Sequence, residues 1–71
     1  MLQLRPAEAE RALFRLGFAE IRRRGAHRHY RHPISGRQTQ IPFHPGPPSR
    51  RVVRGILKDI GLTESQIQEH L

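Results

Sequence analysis

The hydrophobic positions near the start of the chain repeat with the period of an α-helix. The residues at i, i+3, i+4 and i+7 spacing, which would form one buried stripe, are Ala9, Ala12, Leu13 and Leu16. Pro6 suits a first turn, where its missing N–H costs no hydrogen bond, and Gly17 suits the position after a helix. We therefore predict a first helix from about Pro6 to Leu16. Phe14 lies off the stripe, so we place it at the rim of the core or against a partner.

From Phe18 to Phe43 the helical period disappears, and short β-compatible segments alternate with turn residues. Gly25 and the segment 33–36, Pro-Ile-Ser-Gly, separate these segments. The pattern predicts three short antiparallel strands, over about residues 18–24, 27–32 and 38–43.

The predicted second strand has two different faces, because side chains alternate along a strand. One face carries His27, His29 and Arg31, and the other carries Arg28, Tyr30 and His32. Tyr30 is the best core candidate of the strand. We therefore expect the face with His27 to point towards solvent.

The first and third predicted strands differ in how clearly they alternate. The third places Thr39, Ile41 and Phe43 on the core face and leaves Gln38 and Gln40 outside. In the first, Phe18 and Ile21 both favour burial, although their spacing puts them on opposite faces. A β-bulge or an early strand start would reconcile the two.

The helical pattern returns after the stiff segment 45–48. Ser49 is a good N-cap and Gly61 a good C-terminal stop, which predicts a second helix over about residues 50–60. Its buried stripe comprises Val53, Ile56, Leu57 and Ile60, and a basic flank beside the stripe comprises Arg50, Arg54 and Lys58. Thr63 and Gln66 have capping-box spacing, which predicts a short final helix to about His70.

The order of these elements places the chain in the α+β class. A helix, a three-stranded antiparallel sheet, a second helix and a short C-terminal helix predict a two-layer sandwich of the double-stranded-RNA-binding-domain type. Because the chain has 71 residues, we expect residues 1–71 to form a single domain with one modest core. A deep cleft between two domains is excluded.

Composition adds a strong positive charge to this picture. The chain has 13 Lys plus Arg against 6 Asp plus Glu, a net charge of +7, and every cation except Lys58 is arginine. No acidic residue lies between Glu20 and Asp59. Arginine binds phosphate through two hydrogen bonds and stacks on bases, so this central cationic segment favours nucleic acid as the ligand. The alternative is that genome composition alone makes the surface rich in arginine.

Targeting and membrane signals are lacking in the sequence. It contains no cysteine, no secretory hydrophobic segment near the N-terminus and no apolar run close to the roughly 20 residues that span a bilayer. Binding to a lipid surface would need an exposed, bulky apolar helix face, which the pattern does not predict. We therefore expect a cytoplasmic protein without a membrane partner.

The segment from Gly25 to Pro33 contains the densest reactive chemistry, three histidines among arginines. Histidine exchanges protons near neutral pH, and RNA carries its own nucleophile, the 2′-hydroxyl, so a base and nearby cations can suffice for cleavage. Metal binding is disfavoured because residues 21–58 contain no carboxylate or thiolate to complete a ligand shell. A structural or phosphate-contacting role is the other alternative for these histidines.

Four segments, in order along nearly the whole chain, resemble the HicA family of toxins from HicAB toxin–antitoxin pairs. They are residues 16–18 (Leu-Gly-Phe), 25–33 (Gly-Ala-His-Arg-His-Tyr-Arg-His-Pro), 41–44 (Ile-Pro-Phe-His) and 54–63 (Arg-Gly-Ile-Leu-Lys-Asp-Ile-Gly-Leu-Thr). The resemblance implies a double-stranded-RNA-binding fold and ribosome-independent cleavage of mRNA. It places the catalytic histidine at His27, with Ala26 where serine is common in the family.

The residues and the resemblance together predict a metal-independent endoribonuclease without a cofactor. His27 would act as general base on the 2′-hydroxyl, which leaves a cyclic phosphate and a 5′-hydroxyl. His29 is the second candidate, as the acid for the leaving group or as a contact to the backbone. The predicted RNA-binding residues, which would supply charge and positioning, are Arg24, Arg28, Arg31, Arg50, Arg54 and Lys58.

The resemblance also implies a protein partner, a HicB-type antitoxin whose acidic or apolar surface covers the histidine face. Contact with DNA is expected only through the antitoxin complex. The strongest rival from another functional class is a non-catalytic RNA-binding module associated with translation. Such a module would use the same arginines, but its action on RNA would not depend on His27.

Overall fold

The helices and strands follow the predicted order. In the computed structural model, which describes residues 3–71, they are α1 (Pro6–Arg15), β1 (Ala19–Arg24), β2 (His27–Arg31), β3 (Gln38–Pro42), α2 (Arg50–Ile60) and α3 (Glu64–Gln68). The observed bounds differ from the predicted ones by two residues at most. The predicted α+β class and the arrangement of helices around a three-stranded antiparallel sheet are confirmed.

Strand β2 lies in the middle of the sheet, paired antiparallel with both neighbours. Along β3, His27 lies opposite Pro42 and His29 opposite Gln40. The pairing continues past the end of β3, because the Phe43 N–H donates to the Ala26 carbonyl at 2.7 Å. The chain after β3 therefore stays next to the turn that joins β1 and β2.

Strand β1 contains a bulge between Glu20 and Arg22, one of the two solutions that the sequence left open. Phe18 is buried as expected, but the expected burial of Ile21 is wrong, since this side chain is 47% exposed. The register skips Ile21, as is usual for the extra residue of a bulge, so it has no place in the alternation that would bury it.

The core lies between the helices and one face of the sheet, here called the helix-side face. The buried residues of this face are Tyr30, Thr39 and Ile41, and the stripes predicted for α1 and α2 pack onto them, with Leu16 only partly buried. Phe43 is partly buried against the same core. Phe14 lies at the rim, 49% exposed, with its ring edge-on to Tyr30 at a centroid distance of 6.0 Å.

Tyr30 connects the centre of the sheet to α1 through a polar contact. Its hydroxyl donates to Glu10 Oε2 at 2.5 Å, and Arg28 Nη1 donates to the same oxygen at 3.1 Å. The Arg28 guanidinium also lies 3.8 Å above the centre of the Phe43 ring. Burial, and then the bond to the Glu10 carboxylate, raise the pKa of Tyr30, so the phenol remains a proton donor.

Side-chain and glycine caps hold both ends of α2. Ser49 Oγ accepts from the Val52 N–H at 3.2 Å, as predicted for the N-cap. Gly61 follows the helix with φ +74°, and a Cβ there would lie 2.9 Å from the Arg37 guanidinium carbon. Because Arg37 donates to the Asp59 carbonyl, only glycine fits this position without displacing that contact.

The predicted capping box of the last helix is also present. The Gln66 N–H donates to Thr63 Oγ1 at 3.2 Å, and the Thr63 N–H donates to Gln66 Oε1 at 2.9 Å. Ile67 is fully buried, so this short helix closes one end of the core.

We expect Tyr30→Phe to lower the free energy of unfolding by about 1.5–3 kcal/mol, the usual contribution of a hydrogen bond to a charged group. The ring keeps its packing, whereas Glu10 loses one of its two donors. Urea denaturation of both proteins at pH 7 measures the difference. Equal unfolding free energies would show that the bond to Glu10 does not stabilise the fold.

Candidate nucleic-acid interface and active-site groove

The face of the sheet turned away from the core, here called the outer face, is basic. Residues directly opposite each other in antiparallel strands share a face, so the register determines which side chains lie on it. Its polar and basic members are Arg22, Arg24, His27, His29, Arg31, Gln38 and Gln40. No acidic side chain of the three strands lies on this face. Such a surface is suited to binding a polyanion.

The bulge in β1 is what places two arginines on the outer face. It brings Arg22 opposite His29 and Arg24 opposite His27. Glu20, the single acid of the strands, lies on the helix-side face, where Arg23 Nε donates to it at 2.6 Å and lowers the pKa of its carboxyl. Arg22 was not among the predicted site residues, because no pattern in the sequence shows where the bulge lies.

A groove of about 370 Å³ lies at the β3 edge of the sheet, where α2 meets outer-face residues of β2 and β3. Its lining residues are His27, Gln40, Pro42, His44, Val52, Gly55, Ile56 and Asp59. A smaller adjoining pocket contains His29 and shares Gln40 and Asp59 with the groove. The predicted catalytic histidine therefore lies in a concave site, with a helix as one wall.

Two histidines lie side by side in this groove. The ring centroids of His27 and His44 are 5.7 Å apart, with the ring planes at 75°. Both side chains are exposed to solvent. From the sequence, His44 was noted only as the last residue of the segment Ile-Pro-Phe-His, and its position beside His27 was not predicted. The signal that could have revealed it is that His44 continues the every-second-residue series of Gln40 and Pro42, once the register of β3 is known.

The other wall of the groove combines a carboxylate with an open helix surface. Asp59 accepts a hydrogen bond from the buried Thr39 hydroxyl at 2.9 Å, so its position is held by β3. A Cβ at Gly55 would meet no atom within 4 Å. Packing therefore does not require a glycine here, although glycine in a helix interior destabilises the helix by about 1 kcal/mol relative to alanine. Because Gly55 has no side chain, space is left for a ligand backbone to approach α2.

His29 lies on the outer face next to His27 but is partly covered. Burial is the largest cause that lowers the pKa of its imidazole, followed by the charges of Arg22, His27 and Arg24. The neutral ring is therefore favoured at this position. A neutral imidazole can donate one hydrogen bond to RNA and accept one from it, without adding to the positive charge of the face.

The predicted RNA-binding residues are divided between surfaces. Arg24 and Arg31 lie on the outer face with His27. Arg28 lies on the helix-side face, where Glu10 and Phe43 hold its guanidinium. Of the three sheet arginines that were predicted to bind RNA, the structure thus brings two to the face of the histidines and uses the third on the helix side.

The basic flank of α2 points away from the groove. The groove-lining residues of α2 are Val52, Gly55, Ile56 and Asp59, which occupy one side of the helix. At 100° per residue, Arg54 lies roughly 150° around the helix from the centre of that side, with Arg50 and Lys58 along the same far flank. Arg50 is also ion-paired with Glu64 of α3. The structure does not bring this flank to His27.

His32 has a structural position. Its Nε2 lies 3.1 Å from the Leu16 carbonyl, and its Nδ1 accepts the N–H groups of Ile34 and Ser35 at 3.2 Å. The ring therefore connects the turn after β2 to the end of α1. A Cβ at Gly17 would lie 3.0 Å from Nε2, so glycine makes this approach possible. His32 takes no part in the groove.

Within residues 3–71, no group of three or more histidine, cysteine or acidic side chains is placed to hold a metal ion. In the same part of the chain, no helix has the length and apolar character needed to cross a membrane.

These features define a small α+β domain whose basic outer face carries a histidine-lined groove. Over residues 6–62, the sequence matches the family model of the HicA toxin of bacterial toxin–antitoxin systems. The chain therefore belongs to the HicA toxin family, as the resemblance predicted, and membership implies an antitoxin partner. No curated protein sequence matches it significantly.

The register across the bulge can be tested by titrating His29. We expect Arg22→Gln to raise the pKa of His29, because it removes a positive charge directly opposite the imidazole. Arg23→Gln is the matched control, since Arg23 lies on the other face with Glu20. Histidine side-chain resonances followed by NMR against pH measure both variants. A larger shift from Arg23→Gln than from Arg22→Gln would contradict the register.

Proposed function

We propose that this toxin is a metal-independent endoribonuclease that cleaves mRNA at the groove, with His27 as the general base. The observation that carries the proposal is the position of His27, exposed in a concave site on the basic outer face. Membership of the HicA toxin family and the resemblance of segment 25–33 to the family's histidine motif support the same assignment.

The reaction needs little from the protein, because RNA supplies the nucleophile. His27 takes the proton of a 2′-hydroxyl, the oxygen attacks the adjacent phosphorus, and the chain breaks to leave a cyclic phosphate and a 5′-hydroxyl. A positioned base contributes about 10²- to 10⁴-fold. Arginine stays protonated at neutral pH, so Arg24, directly opposite His27, stabilises charge on the phosphate rather than moving protons.

The RNA backbone follows the outer face in this proposal. Arg22, Arg24 and Arg31 form a row of cations over β1 and β2, and the groove lies at the β3 side of that row. Phosphates bound along the row place one phosphodiester beside His27. Arg28 acts within the fold through Glu10, and the flank of Arg50, Arg54 and Lys58 binds more distant parts of the RNA.

The antitoxin covers the same face. We infer a HicB-type antitoxin with an acidic or apolar surface, because the outer face presents arginines and histidines without an acid from the strands. Blocking the groove stops access of RNA and neutralises the toxin. Contact with DNA is left to the antitoxin in the complex.

We expect His27→Ala to lower the rate of RNA cleavage by about 10²- to 10⁴-fold in EDTA, because the base is lost while the fold remains. The measurement incubates purified proteins with a long single-stranded RNA and analyses the fragment ends for cyclic phosphate. His70→Ala is the matched control, a histidine just after α3 and outside the groove, and it should cleave like the wild type. Wild-type protein that binds RNA without cutting it would support a non-catalytic binding module instead.

We expect Arg24→Gln to weaken binding to an uncleavable 2′-O-methyl RNA several-fold and to reduce the slope of log affinity against log salt by about one. Arg24 lies beside His27, whereas Arg54 lies on the far flank of α2, so Arg54→Gln provides a matched loss of one charge. Fluorescence anisotropy at several salt concentrations gives both values. A larger effect from Arg54→Gln would place the main RNA path on α2.

A further inference from the structure

We propose that His44 is the second catalytic residue of this site, the general acid that protonates the leaving 5′-oxygen. The inference rests on the proposed ribonuclease function and completes its proton transfers. Its basis is the placement of the His44 ring 5.7 Å from that of His27, in the same groove and exposed to solvent.

The backbone holds His44 in this position. Because His27 lies opposite Pro42, and the Phe43 N–H donates to the Ala26 carbonyl, the strand pairing continues for one residue beyond β3. Gln40, Pro42 and His44 then alternate onto the outer face. His44 becomes the diagonal cross-strand neighbour of His27, a relation that brings long side chains within reach of each other.

The distance between the rings fits one phosphodiester. In an in-line displacement, the attacking O2′ and the departing O5′ lie on opposite sides of the phosphorus. Each catalytic nitrogen must approach its oxygen to within about 2.6–3.2 Å. Two rings at this separation, open to the same groove, can flank the phosphate with one nitrogen at each oxygen.

The proposed step balances without any added reagent. His27 removes the 2′-proton, the P–O2′ bond forms, the P–O5′ bond breaks, and O5′ takes a proton from the His44 imidazolium. The step ends with His27 protonated and His44 neutral, and exchange with water restores both rings. No metal ion, oxidant or cofactor takes part.

His29, the acid considered from the sequence, is less suited to this role. It lies two residues from His27 on the same strand and lines the adjoining pocket rather than the groove. Its partial burial and its cationic neighbours also lower the pKa of the ring, which favours the neutral form over the proton-donating form. His44, by contrast, lines the groove itself, with its ring beside that of His27.

The test compares two substrates that differ in one atom of the leaving group. One is an ordinary RNA oligonucleotide, and the other carries a bridging 5′-sulfur at the cleaved position. A thiol has a pKa near 8.5, so the sulfur leaves without a proton, whereas an alkoxide needs one. Wild type, His27→Ala, His44→Ala and His44→Gln are assayed on both substrates, with His70→Ala, outside the groove, as the control. Far-UV circular dichroism and melting confirm that each variant folds.

The inference predicts a specific pattern of rates. On ordinary RNA, both His44 variants lose about 10²- to 10⁴-fold. On the sulfur substrate they cleave within a few-fold of wild type, whereas His27→Ala is slow on both. Two outcomes would overturn the role of His44: full activity of folded His44 variants on ordinary RNA, or equal losses on the two substrates. If the wild type cleaves neither substrate, the ribonuclease function fails as well, and the two failures are thereby distinguished.

Discussion

The antiparallel pairing of β2 with β3 is the constraint on which the site depends. It places His27 opposite Pro42, and its continuation through Phe43 and Ala26 carries the chain past the end of the strand with the same alternation. That short extension puts His44 on the face of His27 before the chain turns away towards α2. A slip of one residue would move every side chain of β3 to the other face and separate the two histidines.

The fold separates its charges between the two faces of the sheet. Glu10 and Glu20 bind Arg28 and Arg23 on the helix-side face, where Glu10 also holds the buried Tyr30 hydroxyl. The outer face carries Arg22, Arg24 and Arg31 with no acidic residue of the strands beside them. This division follows from the architecture, because one face of the sheet is covered by helices and the other is open.

The helices and the class of the fold could be predicted from local patterns. The stripe of α2, its Ser49 cap and its Gly61 stop are all encoded within a few residues of each other. The face of Tyr30 also followed from simple alternation. The location of the bulge in β1 could not be predicted, because it depends on how β1 pairs with β2, and so Arg22 was missed while Ile21 was expected to be buried.

The site was harder to predict because its parts come from separate segments. His27 was proposed from its motif, but its neighbour His44 lies 17 positions further along, and only the register of β3 brings the two rings together. The helical spacing of residues in α2 predicted a basic flank, but it did not show which side of the helix would line the groove. That choice depends on the docking of α2 against β3, a tertiary contact without a local signal.

The most direct test of the account is to locate bound RNA on the wild-type protein. NMR spectra of the histidine side chains and of the backbone amides, recorded with and without an uncleavable 2′-O-methyl RNA, report where the phosphate chain lies. We expect the signals of His27 and His44 to shift together while that of His70 stays in place. Shifts confined to backbone amides around Arg54 and Lys58, with His27 and His44 unchanged, would contradict a binding site in the groove.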